Sequence, residues 1–384
     1  MLTRLYNLFS SVKLAVVLLA LGLILVFWGT LAQVKVGLYQ AQNEFFRSWL
    51  IYWQLPGTET RIPIFPGSYL VGGLLLINLF TAHLRYYRKG WKYFGIAILH
   101  IGVVLMLVGQ FATDVFSVES YMKIREGSAS NYSESNGRWE LAIVDTTDPK
   151  DDKVVAVPTG LLVNGKTIEH AELPFKFRVL AYHLNSVLAG KEAAGLERVD
   201  AQNTTGTEIW WRGLPKETRM NFRDIPSVLI ELEEPNGTAR KVLLSGHLAR
   251  PQTLTVGGRD LKMDLRPERY YKPYYLHLVD FRFDRYPGTE IPKNYSSRVR
   301  VVQPQAGEDR EVTIRMNEPL RYAGKTFFQS SFDEVDEKGT VLQVVDNPSR
   351  LTPYIACGLV AFGMSWQFLV HLIGFATKRK TAST

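Results

Sequence analysis

Four apolar runs punctuate an otherwise polar chain of 384 residues. Leu14–Ala32, Tyr93–Thr113 and Pro353–Phe375 contain no charged side chain. Each approaches or exceeds the roughly 20 residues that a helix needs to cross the hydrocarbon core of a bilayer. Tyr69–Leu84 is shorter, and Ile62–Pro66 is expected to extend it into the interface. The pattern predicts four transmembrane α-helices over 14–32, 69–84, 93–113 and 353–375. The first run is too long for the apolar core of a cleaved leader, and Leu31-Ala32-Gln33 is a poor small-residue cleavage site. Between the first two runs, Glu44–Trp53 is aromatic and amphipathic and predicts a short helix, either lying on the bilayer or buried under an outer domain.

Residues 114–352 have a different texture. Trp139–Val144, Phe175–Leu180, Ser227–Leu232, Tyr275–Phe281 and Val299–Val302 alternate or run apolar over strand lengths. Turn signals recur between them at Asn164-Gly165, Pro235-Asn236-Gly237, Gly257-Gly258, Pro287-Gly288 and Ala323-Gly324. Short strands punctuated in this way predict an antiparallel, sandwich-like β architecture. Ser186–Thr205, rich in Ala, Gly, Asn and Glu, is expected to be a long loop or short helix. The expected fold is therefore a membrane protein with a large, mainly β domain between its third and fourth spans. Its parts are an N-terminal membrane region 1–113 with an interfacial segment 33–68, the β domain 114–352, the last span 353–375 and a tail 376–384.

The formal charge is +8, and its placement decides its meaning. Arg4 and Lys13 precede the first run, Arg85, Arg88, Lys89 and Lys92 separate the second from the third, and Lys378–Lys380 follow the last. Basic clusters beside apolar spans set topology and meet lipid headgroups, so no nucleic-acid role is expected. The positive-inside rule puts all three clusters on the cytoplasmic side, with 33–68 and 114–352 outside. Cys357 is the single cysteine, which excludes an intramolecular disulfide, a CxxC relay and covalent haem attachment to this chain.

Histidine carries the most telling chemistry. His170, His183, His247 and His277 fall in the β domain without metal-ligand spacing and are expected to be ordinary strand or loop residues. His83, His100 and His371 lie within spans two, three and four, where an ionisable group is expensive and calls for a partner. His100 is seven residues into its span, roughly 10 Å deep at about 1.5 Å per residue. All three are expected in the cytoplasmic half of the bilayer. Imidazoles in an apolar bundle suit haem, whose iron takes axial histidines. His83 and His371, near span ends, equally suit snorkelling or a bond to a carbonyl. Gly95, Gly102 and Gly109 recur every seven residues along span three, a small-residue stripe for close approach of a helix or a flat macrocycle. No GxSxG, HExxH or phosphate-binding glycine loop occurs. Trp210-Trp211 suits sheet packing or a contact surface.

Ordered motifs along almost the whole length resemble the ResB (CcsB) family of System II cytochrome c biogenesis proteins. They are Trp28-Gly29-Thr30, then Leu99-His100-Ile101-Gly102 with Leu107-Val108-Gly109. Leu173-Pro174-Phe175, Tyr286–Thr289, Pro292–Ser297, Met316–Leu320, Tyr322–Gly324, Phe328–Asp333 and Asn347-Pro348 follow in the β domain. The resemblance implies a bacterial inner-membrane protein that pairs with a CcsA/ResC-type membrane partner. Together they would export haem b and attach it to apocytochrome c, with a thiol-reducing protein in the same pathway. The tryptophan-rich haem-handling motif belongs to the partner, so this chain is expected to be a non-catalytic co-subunit. His100 matches the family's membrane histidine and is implied as an axial ligand of haem iron, with His83 as second choice. A self-contained b-type cytochrome and a haem-free membrane-anchored chaperone are the alternatives.

Overall fold

The computed structural model describes residues 2–381 apart from 59, 87–89, 150, 202–207, 218–221, 235–236, 290–291 and 334–336. The expected basic residues Arg88 and Lys89 and the turn residues Pro235 and Asn236 lie outside the described residues. The chain divides into two compact units, one from Met1–Val118 and Asp346–Thr384, the other from Glu119–Glu217 and Asn221–Val345.

The first unit is helical. Its helices are α1 (Leu2–Phe9), α2 (Val12–Val36), α3 (Leu38–Ala41), α4 (Ser68–Tyr86), α5 (Trp91–Phe116) and α6 (Thr352–Thr381). Among the described residues three helices are long and apolar enough to cross a membrane: α2, α5 and Thr352–Thr377 of α6. The 19-residue α4 interrupts its apolar run with Asn78, His83 and Arg85. Asn78 is only 4% exposed and donates to the Phe9 and Ser11 carbonyls at 2.7 and 3.0 Å.

Glu44–Trp53 is not one helix. A π-helical turn over Gln42–Phe46 is followed by the strand Leu50–Gln54, which pairs antiparallel with Arg61–Pro66. The sequence explains the difference: Ile51, Tyr52 and Trp53 favour strands, Gly57 takes φ +78° in the turn, and Pro63 is barred from a helix interior. Ile62–Pro66 consequently belongs to this hairpin and does not extend α4. The hairpin is tied to the helices by an aromatic cluster. Trp28 meets Phe45 and Phe65 edge-on at centroid distances of 5.3 and 5.8 Å. Gly29 provides the seat, since a Cβ there would stand 2.8 Å from the Phe46 ring. The Trp28-Gly29-Thr30 motif thus acts in packing. Nearby, Asp114 accepts from Arg47 Nη2 and from the Tyr69 hydroxyl, both at 2.9 Å, and so joins the start of α4 to the end of α5.

The second unit is mainly antiparallel β. The strand-length runs expected from the sequence lie within strands, except that Phe175 precedes the strand Lys176–His183. Its axis is the 27-residue strand Arg259–Arg285, bent at four irregularities in register. The first half pairs with Ala129–Asp145 and Gln252–Val256 and faces a four-stranded sheet ordered Ala239–Ser245, Ser227–Glu233, Lys176–His183, Thr167–Ile168. Leu141, Ile143 and Met263 from one layer and Phe177, Val228 and Ile230 from the other close that core. The second half lies in the part of the sheet that curls, so that Glu308–Arg315 comes against Lys325–Phe332. Tyr274, Leu276, Val299, Phe327 and Leu342 fill the space inside. Ser186–Thr205 is not a plain loop: Asn185–Ala189 and Glu197–Val199 flank Ile209–Leu214 in a small sheet, while 202–207 lie outside the described residues. Trp211 is buried there against Leu243, so sheet packing accounts for it.

A polar seam crosses the long strands between the two cores. Glu140 bonds Arg266, and Glu134 bonds Arg269 at 3.1 Å. The Arg269 guanidinium lies 4.2 Å from the Tyr132 ring centroid. Buried Lys272 donates to Ser133 Oγ and the Tyr270 carbonyl. Asp264 lies in the same strand, where burial pushes its carboxyl above the usual range against the pull of Arg266 and Arg269. A raised carboxyl makes the ionised form a cost to the folded state, and that cost fades as pH falls through the raised folded value and is gone below the unfolded value of about 3.9. Asp264→Asn is therefore expected to raise the unfolding midpoint of this unit at pH 7. The gain should shrink towards nothing as thermal melts are repeated down to about pH 4. A gain that stays constant across that range would refute the assignment.

Candidate functional site

The span histidines are placed by two helices that use different faces for different neighbours. On α5 the glycine stripe turns to α6. A Cβ on Gly95 would stand 2.6 Å from the Gly363 carbonyl, and one on Gly102 would stand 3.0 Å from the Ala356 carbonyl. At Gly109 the obstacle is the Thr352 side chain. The stripe is therefore a helix-packing surface. His100 is five residues beyond Gly95, a step of roughly 140° round the helix after one full turn, and it leaves that face for α4.

On α4 the polar positions divide in the same way. Asn78, Thr81 and Arg85 hold the Phe9–Ser11 corner. Leu79, Phe80 and His83 occupy another face. The His83 and His100 rings meet with centroids 5.2 Å apart and planes inclined by 37°. They line one wall region of a cleft of about 380 Å³ between α4 and α5, whose remaining walls include Leu79, Phe80, Ile101 and Val104. All other lining side chains are apolar.

The hydrogen bonding of His100 fixes its chemistry. Nδ1 is 2.7 Å from the Ile96 carbonyl oxygen. A carbonyl only accepts, so Nδ1 is the donor in this bond, which in the neutral ring leaves the lone pair on Nε2. An imidazole held this way by a backbone carbonyl is oriented as a metal ligand through its other nitrogen. The donor set, two imidazoles side by side in apolar walls, fits a haem iron better than a hard cation that seeks oxygen ligands.

His371 hydrogen-bonds within its own helix, away from this pair. It lies one turn from Gln367 on α6, with Nε2 2.9 Å from the amide nitrogen. In the β unit, His170 Nδ1 accepts from the Glu172 amide, His247 Nε2 lies 2.9 Å from the Ser186 carbonyl, and His183 stacks edge-on to Trp211. His277 sits opposite Arg300 in the sheet register. No group of three or more metal-ligating side chains forms among the described residues.

Two functional-looking positions escaped the sequence reading. Asn78 is the buried polar residue inside α4, and Asp114 is the anion near the C-terminal end of α5. Polarity inside an apolar run flags Asn78, and a charge directly after one flags Asp114.

Residues 252–355 match the family model described as the ResB-like family. This chain is also 28% identical over 300 residues to Protein NrfI of Wolinella succinogenes, an alignment that spans 77% of this chain and 29% of that protein. These matches bear out the ResB/CcsB resemblance carried by the sequence motifs.

Proposed function

We propose that this ResB-type chain serves cytochrome c biogenesis as the co-subunit of a System II haem exporter and synthase, alongside a CcsA/ResC-type membrane partner. In this reading α4 is a fourth membrane crossing, both termini are cytoplasmic, and the β unit faces the periplasm or outer surface of the inner membrane. Haem b is cargo that enters at the cytoplasmic side. His100 supplies an axial ligand through Nε2, while the cleft walls shield the macrocycle from water. Covalent attachment to the thiols of apocytochrome c, kept reduced by a thiol-reducing protein, belongs to the partner, which would carry the tryptophan-rich haem-handling motif that this chain lacks.

The observation that carries the reading is the His83–His100 pair in an apolar cleft. A self-contained b-type cytochrome is the second reading, in which both imidazoles of this pair, 5.2 Å apart, would hold the iron and no ligand from a partner would be needed.

The test is haem content and cytochrome c maturation in the full chain co-expressed with its partner. His100→Ala is expected to remove haem from the purified complex and reduce maturation at least tenfold, and His83→Ala to have the smaller effect. A bis-imidazole spectrum from the chain alone would favour the b-type cytochrome. Undiminished haem and maturation in His100→Ala would sink the proposal.

A further inference from the structure

A short helix of different character lies just ahead of α2. Along α1, Leu2, Leu5, Tyr6, Leu8 and Phe9 share one side of the helical wheel, an arc of about 160° at 100° per residue. Thr3, Arg4 and Asn7 take the opposite side. Among the described residues most of the apolar side is left uncovered: Leu2, Leu5 and Leu8 are 86%, 43% and 53% exposed, and only Phe9 is partly buried. Sequence hydropathy overlooked this helix because its eight residues are too few for a span.

The junction with α2 is a built corner. Ser11 caps α2, its hydroxyl accepting from the Lys13 amide at 3.2 Å. Asn78 Nδ2 and Thr81 Oγ1 each donate to the Phe9 carbonyl at 2.7 Å, Asn78 donates also to the Ser11 carbonyl, and Arg85 Nη1 donates to Ser10 Oγ at 2.7 Å. With its last carbonyl committed to α4, α1 does not run on into α2. Nor does α2 need the extra length. Its 25 residues at about 1.5 Å each already exceed a hydrocarbon core of about 30 Å. Only two residues part Phe9 from Val12, so α1 is confined to the level at which α2 meets the bilayer surface.

We propose that α1 lies in the plane of that surface, its apolar side in the boundary between headgroups and acyl chains and Arg4 among the phosphates. Lipid is the occupant because α1 is continuous with a helix apolar enough to span, and its charge and apolar arcs match an interfacial helix. The clamp gives the arrangement a consequence. Asn78, Thr81 and Arg85 share α4 with Leu79, Phe80 and His83, so a helix seated on the surface holds His83 at a set depth.

The test uses the full chain, purified alone in nanodiscs of phosphatidylcholine and phosphatidylglycerol. Cys357→Ser provides a cysteine-free background. Nitroxide labels are then attached singly at Leu5→Cys and Leu8→Cys on the apolar side, and at Thr3→Cys and Asn7→Cys on the polar side. Collision with oxygen, which partitions into lipid, is compared with collision with a water-soluble nickel chelate. The oxygen-to-nickel ratio is expected to be several-fold higher at 5 and 8 than at 3 and 7. Asn78→Ala should flatten that contrast by freeing the corner. A uniformly low ratio makes α1 aqueous, and a uniformly high one makes it part of a span; either overturns the proposal. Labels at 5 and 8 shielded from both reagents would assign the face to protein contact and overturn it too. The readout is independent of haem, so its failure leaves the His100 proposal standing.

Discussion

Alanine at Gly95 will destabilise the helical unit even though alanine is the better helix former. Propensity alone favours Gly→Ala by about 1 kcal/mol in a helix interior. Against that, the new Cβ would stand 2.6 Å from the Gly363 carbonyl oxygen and 2.9 Å from the Gln367 backbone nitrogen. Both obstacles are backbone, so no side-chain rotation relieves them, and α5 and α6 must move apart. The contact is reciprocal, since a Cβ on Gly363 would stand 2.7 Å from the Gly95 carbonyl. Overpacking of this kind costs typically 1–3 kcal/mol, so after the propensity gain a net loss of about 1 kcal/mol is expected for Gly95→Ala, and more for Gly95→Leu. Gly72 on α4 is the control, because a Cβ there meets nothing within 4 Å. Gly72→Ala should be neutral or stabilising. Thermal unfolding of the full chain in one detergent measures both, and equal losses at the two positions would refute the packing account.

Breaking the buried ion pair of the β unit should have a larger effect still. Arg266 Nε bonds Glu140 Oε1 at 2.9 Å, with side chains only 10% and 6% exposed. Arg266→Met strands a buried carboxylate, at a cost of about 3–5 kcal/mol. Replacing both partners, as in Arg266→Met with Glu140→Met, removes the stranded charge and should recover most of that loss. Urea unfolding of the full chain at pH 7, followed by tryptophan fluorescence, reads the loss in the single variant and its recovery in the double one. A double variant as unstable as the sum of the singles would show that the pair does not act as a unit.

These expectations show how much was legible beforehand. The β strands at 139–144, 227–232 and 299–302 are visible in sequence because alternation and turn residues act locally. Gly165, Gly257, Gly258 and Gly288 all take positive φ at the turns where the sequence calls for them. The hairpin over 50–66 was misread because ten aromatic and polar residues satisfy a helical wheel as well as a strand. Only pairing of Leu50–Gln54 with Arg61–Pro66 resolves that ambiguity. The strands at 185–189 and 197–199 were missed for a related reason. Their composition is weak, and the Trp210-Trp211 strand between them supplies the pairing.

At the candidate site the division is sharper. The sequence by itself determined that His100 lies deep in an apolar helix, that Gly95, Gly102 and Gly109 form one stripe, and that basic residues flank the apolar runs. Each follows from spacing along a single element, and hydropathy reports depth. Only the tertiary structure decided that the stripe packs on α6 and that His100 meets His83 at 5.2 Å. It also decided that Asn78 grips the corner ahead of α2. A helix that is apolar all round carries no mark of which face meets which neighbour. That azimuth is set by contacts between residues far apart in the chain: glycines against α6 on one side of α5, imidazoles across the cleft on the other.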